Sequence, residues 1–269
     1  MMADYTSLKK VDNVFKGSED IFSGLTIDMT TEDQNYDNEQ FATMLKESLV
    51  NYKRYGVRGV WFKIPIKKSS FVPITVEHGF VFHHCFPSYI VMTKWLPEDE
   101  PNKLPTFATC FIGVAGFVVN DEGKLLVVQE RFRKSDHWKL PGGMADHKED
   151  IRTAGKREVL EETGIETEFV SMVCFRHIPD FRFECSDLYF ICLLKPLNNE
   201  IKRDSSEISD AKWMDLDEFL SSPIVNGLDK FVAQQYKDQK LKMIPTDMFM
   251  FNRDIIFYTM ELPPACNKL

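Results

Sequence analysis

"REVLEETG", residues 157–164, sets three glutamates within five positions of a stretch with helical composition, opened by an arginine and closed by a glycine. At about 100° per residue, Ile151, Ala154, Gly155, Glu158, Val159 and Glu162 fall on one stripe, the face that a helix here would bury. Glu158 and Glu162 thus stand where apolar side chains belong, with Glu161 on the same edge. Ionised carboxylates on a half-buried face are costly unless they hold protons or a cation neutralises them. Oxygen donors at i, i+3 and i+4 suit Mg²⁺ or Mn²⁺, and the lack of interleaved Cys or His argues against zinc. Taken alone, "EVLEE" also fits a solvated acidic face paired to lysines. Its flanks decide between the two.

Upstream, "WKLPGG" (138–143) leads into the helix, and the spacing runs Gly143, five residues, Glu149, seven residues, Arg157-Glu158-Val159, then Glu161-Glu162, Gly164 and Ile165. This resembles the Nudix box, G-x5-E-x7-R-E-U-x-E-E-x-G-U with U aliphatic, and every fixed position is filled. One departure is Gly155, where alanine is commoner; it costs up to about 1 kcal/mol of helix propensity. The resemblance implies roles residue by residue. Glu158 and Glu162 would be metal ligands, Glu161 a third ligand or an orienter of water, and the Gly143 carbonyl a member of the same shell. Glu149 and Arg157 would brace the entry loop against the helix, and Gly164 would stop it in a left-handed turn. The base that activates water varies within the family; the candidates are Glu161 and Glu207, the latter in "SSEISDAKW" ahead of Trp213. Arg131, Arg133 and Arg176 are candidates for substrate phosphates, and Phe175 for stacking a base. Phe181 and Phe183 share that possibility, though 22 phenylalanines make core packing their default.

A second likeness covers residues 35–220, through "YGVRGVWFKIP", "HHCFPSYIVMTKWLP", "VVQERF", "FRH" and "SDLYFICLLKP". These stretches resemble a Nudix subgroup that holds an antisense-fibroblast-growth-factor-type animal protein and plant ADP-ribose/NADH pyrophosphatases. That implies an α/β chain: a Nudix α/β/α sandwich behind an N-terminal acetyltransferase-like mixed α/β domain, often as a homodimer. It also implies hydrolysis of a nucleoside diphosphate linked to another moiety, with ADP-ribose and NADH the leading substrates and AMP the product. No Gly-rich acetyl-CoA loop occurs in 1–100, so acetyl transfer is not expected. Two other readings remain: a regulatory or interaction protein with a weakly catalytic Nudix domain, and a hydrolase of nucleotide-capped RNA.

Patterning divides the chain. Residues 1–25 are polar and aperiodic, and are expected to be flexible. A stripe of Phe41, Met44, Leu45, Leu49 and Tyr52 ending at Gly56 predicts a helix; "GVWFKIP" (59–65) and "YIVMTKWL" (89–96) predict strands around a short helix at 71–80. Together, 26–100 read as a small mixed domain. "PEDEPNKLP" (97–105) reads as a linker. Residues 106–245 carry the Nudix domain, beginning with two β-rich runs joined at Asp121-Glu122-Gly123, a hairpin signal. Residues 246–269 form a C-terminal extension. A net charge of −8 argues against broad nucleic-acid or membrane binding, while leaving room for an acidic pocket that meets phosphates through a cation. Six cysteines without a CxxC pair, and a start with no secretory pattern, predict free thiols and a cytoplasmic or nuclear location.

Overall fold

In the first of two units, Met1–Ala108, the chain opens with a helical turn, α1 (Tyr5–Leu8), where fraying was expected. The computed structural model describes residues 2–31, 36–132, 137–225 and 227–238, and the backbone of 243–250 and 253–260. After α1 come β1 (Ser18–Glu19), β2 (Gly24–Asp28), α2 (Asn38–Arg54), β3 (Gly59–Pro65), α3 (Phe71–Glu77), β4 (Val81–Phe86) and β5 (Tyr89–Trp95). The sheet order is β1-β2-β3-β5-β4, with β2 and β3 parallel and the other pairs antiparallel. A capping box starts α2: the Asp37 side chain takes the Gln40 N–H while the Gln40 side chain takes that of Asp37.

The expected flexibility of 1–25 is corrected by packing. Phe15 is 1% exposed, its ring 5.2–5.6 Å from those of Tyr36, Phe41 and Phe62. Its N–H donates to Ser48 Oγ at 2.9 Å and its carbonyl accepts from Tyr52 Oη at 2.6 Å. Leu8, Val14 and Phe15 have neither helical nor strand period, so only contacts from α2 and β3 reveal that they are core. The stretch expected as a linker is likewise tied down: Glu100 pairs with Arg58 at 2.7 Å, and His83 Nε2 lies 3.0 Å from the Pro105 carbonyl.

The second unit, Thr109–Leu269, comprises β6 (Cys110–Val118), β7 (Lys124–Glu130), β8 (Gly142–Met144), α4 (Ile151–Thr163), β9 (Thr167–Arg182), β10 (Cys185–Pro196), β11 (Ile208–Asp215), α5 (Leu216–Ser221), α6 (Gly227–Lys237), β12 (Met243–Met250) and β13 (Arg253–Met260). Its larger sheet has the order β13-β12-β9-β10-β6-β8, with β6 parallel to β10; β11 and β7 form a separate antiparallel pair. The expected β6–β7 hairpin is present only beside its turn, as one antiparallel bridge between Val119 and Leu125. Asn120 N–H donates to the Lys124 carbonyl, but the strands part into different sheets.

Burial explains the parting. Alternate residues of β6 enter two cores: Val114 and Val118 join Ala154 and Val159 of α4, while Ala115 and Phe117 join Val232 and Ala233 of α6. A strand covered on both faces reads as an unbroken apolar run, so "FIGVAGFVV" could not reveal which strand it would pair with. The result is a sheet between helical layers, a mixed α/β sandwich. The expected boundary after residue 245 falls inside β12, which pairs along its length with β13 and meets β9 at Met243 and Met172. Cys85, Cys110, Cys174, Cys185 and Cys192 are free. Among the described residues no helix is long and apolar enough to cross a membrane.

Candidate active site

Helix α4 is fixed at both ends by its own sequence. Asp150 Oδ1 accepts the N–H groups of Arg152 and Thr153, at 2.9 and 3.3 Å, satisfying donors that the first turn leaves free. Gly164 ends the helix at φ +70°, where a side chain would be strained, and its N–H donates to the Leu160 carbonyl. Between them Ala154, Gly155 and Val159 are buried, which turns Glu158 and Glu162 toward β8.

The two carboxylates meet the glycine strand differently. Glu162 is 6% exposed; Oε2 accepts the Gly142 N–H at 2.8 Å, and Oε1 lies 3.6 Å from Lys139 Nζ. Burial outweighs these partners and pushes the Glu162 carboxyl up to about 7. Glu158 lies against Gly143 so closely that a Cβ there would stand 2.6 Å from Oε2. Burial raises its carboxyl too, although Arg157 Nη1 donates to Oε1 at 2.8 Å.

Arg157 ties the site together. Its Nε and Nη2 donate to the two oxygens of Glu149, each at 2.8 Å, and Nη2 reaches the Met144 carbonyl at 3.0 Å. The bidentate grip holds the Glu149 carboxyl below its ordinary range. Nη1 donates also to Glu161 Oε2 at 2.9 Å, leaving that side chain 59% exposed. Among the described residues no three His, Cys, Asp or Glu side chains are gathered into a ready ligand set. What α4 offers is oxygen donors alone, in a place where burial resists their charge. That donor chemistry fits a hard divalent cation.

Beside these groups lies a cleft of about 360 Å³, lined in part by Lys139, Gly143, Arg176, Asp187, Tyr189 and Asp229. Arg176 Nη2 donates to Asp187 Oδ2 at 2.7 Å and its guanidinium lies 5.0 Å over the Tyr189 ring, while its buried Nε has no acceptor. Phe181 and Arg182, on the same strand as Arg176, also line the cleft.

The other candidates lie elsewhere. Arg131 is exposed, with Nη1 donating to the Ser205 carbonyl at 2.7 Å and its guanidinium over Phe132. Phe175 is 52% exposed and packs on Phe190. Glu207 is exposed on the turn before β11, its carbonyl accepting the Arg131 N–H, and its side chain does not line the cleft. Arg133 lies outside the described residues.

Sequence reasoning passed over Lys139, Asp187, Tyr189 and Asp229. A signal existed for two: in "SDLYFICLL" an acid and a tyrosine two residues apart share one side of an otherwise apolar strand. Lys139 and Asp229 gave none, because only the fold brings them to the cleft.

A glycine strand, an arginine-braced acidic helix and a cleft between sheet and helix define the class, and comparison with known proteins agrees. Residues 15–96 match a model described as "Nudix hydrolase domain", and residues 111–235 match "NUDIX domain". Nudix hydrolase 8 of Arabidopsis thaliana is 41% identical over 225 residues, covering 82% of this chain and 60% of the relative. Nudix hydrolase 2 of the same plant is 37% identical, covering 78% and 76%, and human Nucleoside diphosphate-linked moiety X motif 6 is 34% identical, covering 83% and 73%. The chain thus spans less than two thirds of the first relative and about three quarters of the other two. The crystal structure of a MutT protein from Methanosarcina mazei Go1 aligns at 19% identity and a TM-score of 0.43, covering 49% of this chain and 96% of that one.

The chain belongs to the Nudix hydrolase family. Its members are pyrophosphohydrolases acting on nucleoside diphosphates linked to another moiety, and they generally use divalent metal ions.

Proposed function

We propose that this chain hydrolyses the pyrophosphate bond of a nucleoside diphosphate linked to another moiety, with ADP-ribose or NADH as substrate and AMP as a product. The observation that carries the reading is the buried carboxylate pair, Glu158 and Glu162, set against Gly142 and Gly143 on the helix whose spacing fills the Nudix box.

Glu158 and Glu162 would hold Mg²⁺ or Mn²⁺, joined by Glu161 or the Gly143 carbonyl. Such a cation would neutralise charge on the pyrophosphate oxygens and acidify water. The remaining work belongs to the protein. Arg157, clamped by Glu149, fixes the angle at which α4 presents its carboxylates. Lys139 lowers the cost of ionising Glu162. Arg176, oriented by Asp187 and Tyr189, turns remaining donors toward the cleft, where phosphate oxygens could accept them.

For the proton of the attacking water we favour Glu161 over Glu207, because Glu161 stands on α4 next to the ligand pair with a solvent-open carboxylate. The test is incubation of the full chain with ADP-ribose and with NADH plus Mg²⁺ or Mn²⁺, followed by quantification of AMP. Release of AMP that disappears in Glu162→Gln is expected. No turnover on a wide nucleotide panel would overturn the reading.

A further inference from the structure

The cleft beside the acidic helix has a second end to which the reaction assigns no role, and strand register lays out the way to it. One row crosses the sheet through Met144, Gly113, Tyr189 and Arg176. Two residues further along, about 7 Å at strand rise, the next row runs through Phe111 and Asp187. A further two residues along β10 reach Cys185, opposite Arg182, where the β9–β10 hairpin ends. The cleft follows these rows from Gly143 to Phe181 and Arg182.

Phe181 stands there against the alternation of its own strand. With Arg176 in the cleft, regular alternation sends Phe175, His177, Pro179 and Phe181 to the other side. Phe175 obeys, packing on Phe190 and staying out of the cleft. Between Ile178 and Arg182, however, three residues of β9 face the single Ser186 of β10. This bulge contains Pro179, which has no N–H for the ladder, and it turns Phe181 inward. The chain then reverses through Phe183 and Glu184, both left-handed at φ +51° and +59°. That tight two-residue turn holds the hairpin end just past Phe181. The Arg182 guanidinium lies over one face of the Phe181 ring, 5.1 Å from its centre, yet Phe181 is 42% exposed, so the opposite face is open. An open phenylalanine face at the end of a cleft lined by charged groups gains most from a second flat ring.

We propose that Phe181 stacks the base of the nucleotide substrate and is a specificity-determining residue of this site. The inference rests on the reading of the chain as a nucleotide pyrophosphohydrolase with phosphate at Arg176. The order of the rows is the order of a nucleotide: phosphate at Arg176, ribose over the row of Phe111 and Asp187, base at the hairpin end. Phe175, closer to Arg176 in sequence, takes no part. A bare ring face accepts any planar base, so Phe181 selects nucleotides over phosphorylated sugars and leaves the choice among bases to other groups.

The test is equilibrium dialysis of labelled AMP and of labelled ribose 5-phosphate, each against the full chain in Mg²⁺, for wild type, Phe181→Ala, Phe181→Tyr and Phe175→Ala. Loss of one base–aromatic stack is expected to weaken AMP binding by Phe181→Ala about tenfold or more. Phe181→Tyr keeps the ring and should bind AMP like wild type, as should Phe175→Ala. Ribose 5-phosphate has the sugar and phosphate without the base, and should bind all four proteins alike. Turnover of ADP-ribose by wild type, measured alongside, separates the two readings: AMP binding that depends on Phe181 without turnover would sink catalysis and leave the base site standing. Equal AMP binding by Phe181→Ala and wild type would overturn the proposal. So would equal weakening of AMP and ribose 5-phosphate in that variant, or no AMP binding by wild type at millimolar concentration.

Discussion

Replacing Glu162 by glutamine should stabilise the metal-free protein at neutral pH, and the amount follows from its surroundings. Glu162 is 6% exposed, and burial raises its carboxyl from 4.5 to about 7. A carboxyl raised on folding contributes stability that is complete below its unfolded value and is lost as pH climbs through the folded value. Between about pH 4.5 and 7.5 the wild type in EDTA should thus lose about 3 kcal/mol through this group. Lys139 and the Gly142 N–H already temper the cost, and Glu158 adds to it. Glutamine keeps an acceptor for the Gly142 N–H and cannot ionise. The variant should therefore match the wild type near pH 4.5 and exceed its stability by up to about 3 kcal/mol near pH 8. Urea unfolding in EDTA across that range, read by hydrogen exchange over residues 142–163, measures the difference. Added Mg²⁺ should stabilise the wild type and leave the variant unmoved. Parallel loss of stability in both proteins as pH rises would refute the argument that Glu162 is a charge held against its environment.

Other perturbations separate roles. Glu161→Gln should lower kcat by about 10²-fold or more with little change in KM, the size expected for a lost general base, while Glu207→Gln should stay close to wild type; the reverse pattern would move the base to Glu207. Gly116→Ala sets a Cβ 2.3 Å from Val159 Cγ2, pushing α4 off the sheet, and should cost about 1–3 kcal/mol by thermal unfolding. Phe15→Ala empties a fully packed position and should cost about 3–5 kcal/mol, an outcome that a frayed N-terminus would not give.

The parts legible in the sequence are those that local spacing controls. The stripe from Ile151 to Glu162 and the stop at Gly164 carry the buried face and the end of α4, so both could be drawn from the sequence, whereas the Asp150 cap emerged with the structure. Glu149 and Arg157, eight apart, needed only a loop that folds back, and the observed bidentate contact is that loop's anchor. What escaped depends on partners far along the chain. Phe15 is core because Ser48, Tyr52 and Phe62 come to it. The turn at 121–123 reads like a hairpin, yet β6 finds β10 and β7 finds β11, since long apolar runs bury equally well against several neighbours. The cleft's further wall followed the same rule: Arg176 meets Asp187 across the β9–β10 register, and Asp229 arrives from α6. Arg131 is exposed outside the cleft lining, with one guanidinium nitrogen donating to the Ser205 carbonyl, a contact that no local spacing announces.

The most direct test of the account is a crystal of the full chain grown with Mn²⁺ and AMP, with data collected at the manganese absorption edge. An anomalous peak bonded to carboxylate oxygens of both Glu158 and Glu162 is the predicted result. A map with manganese absent from α4, and those carboxylates still held only by Arg157, Lys139 and the Gly142 N–H, would contradict it.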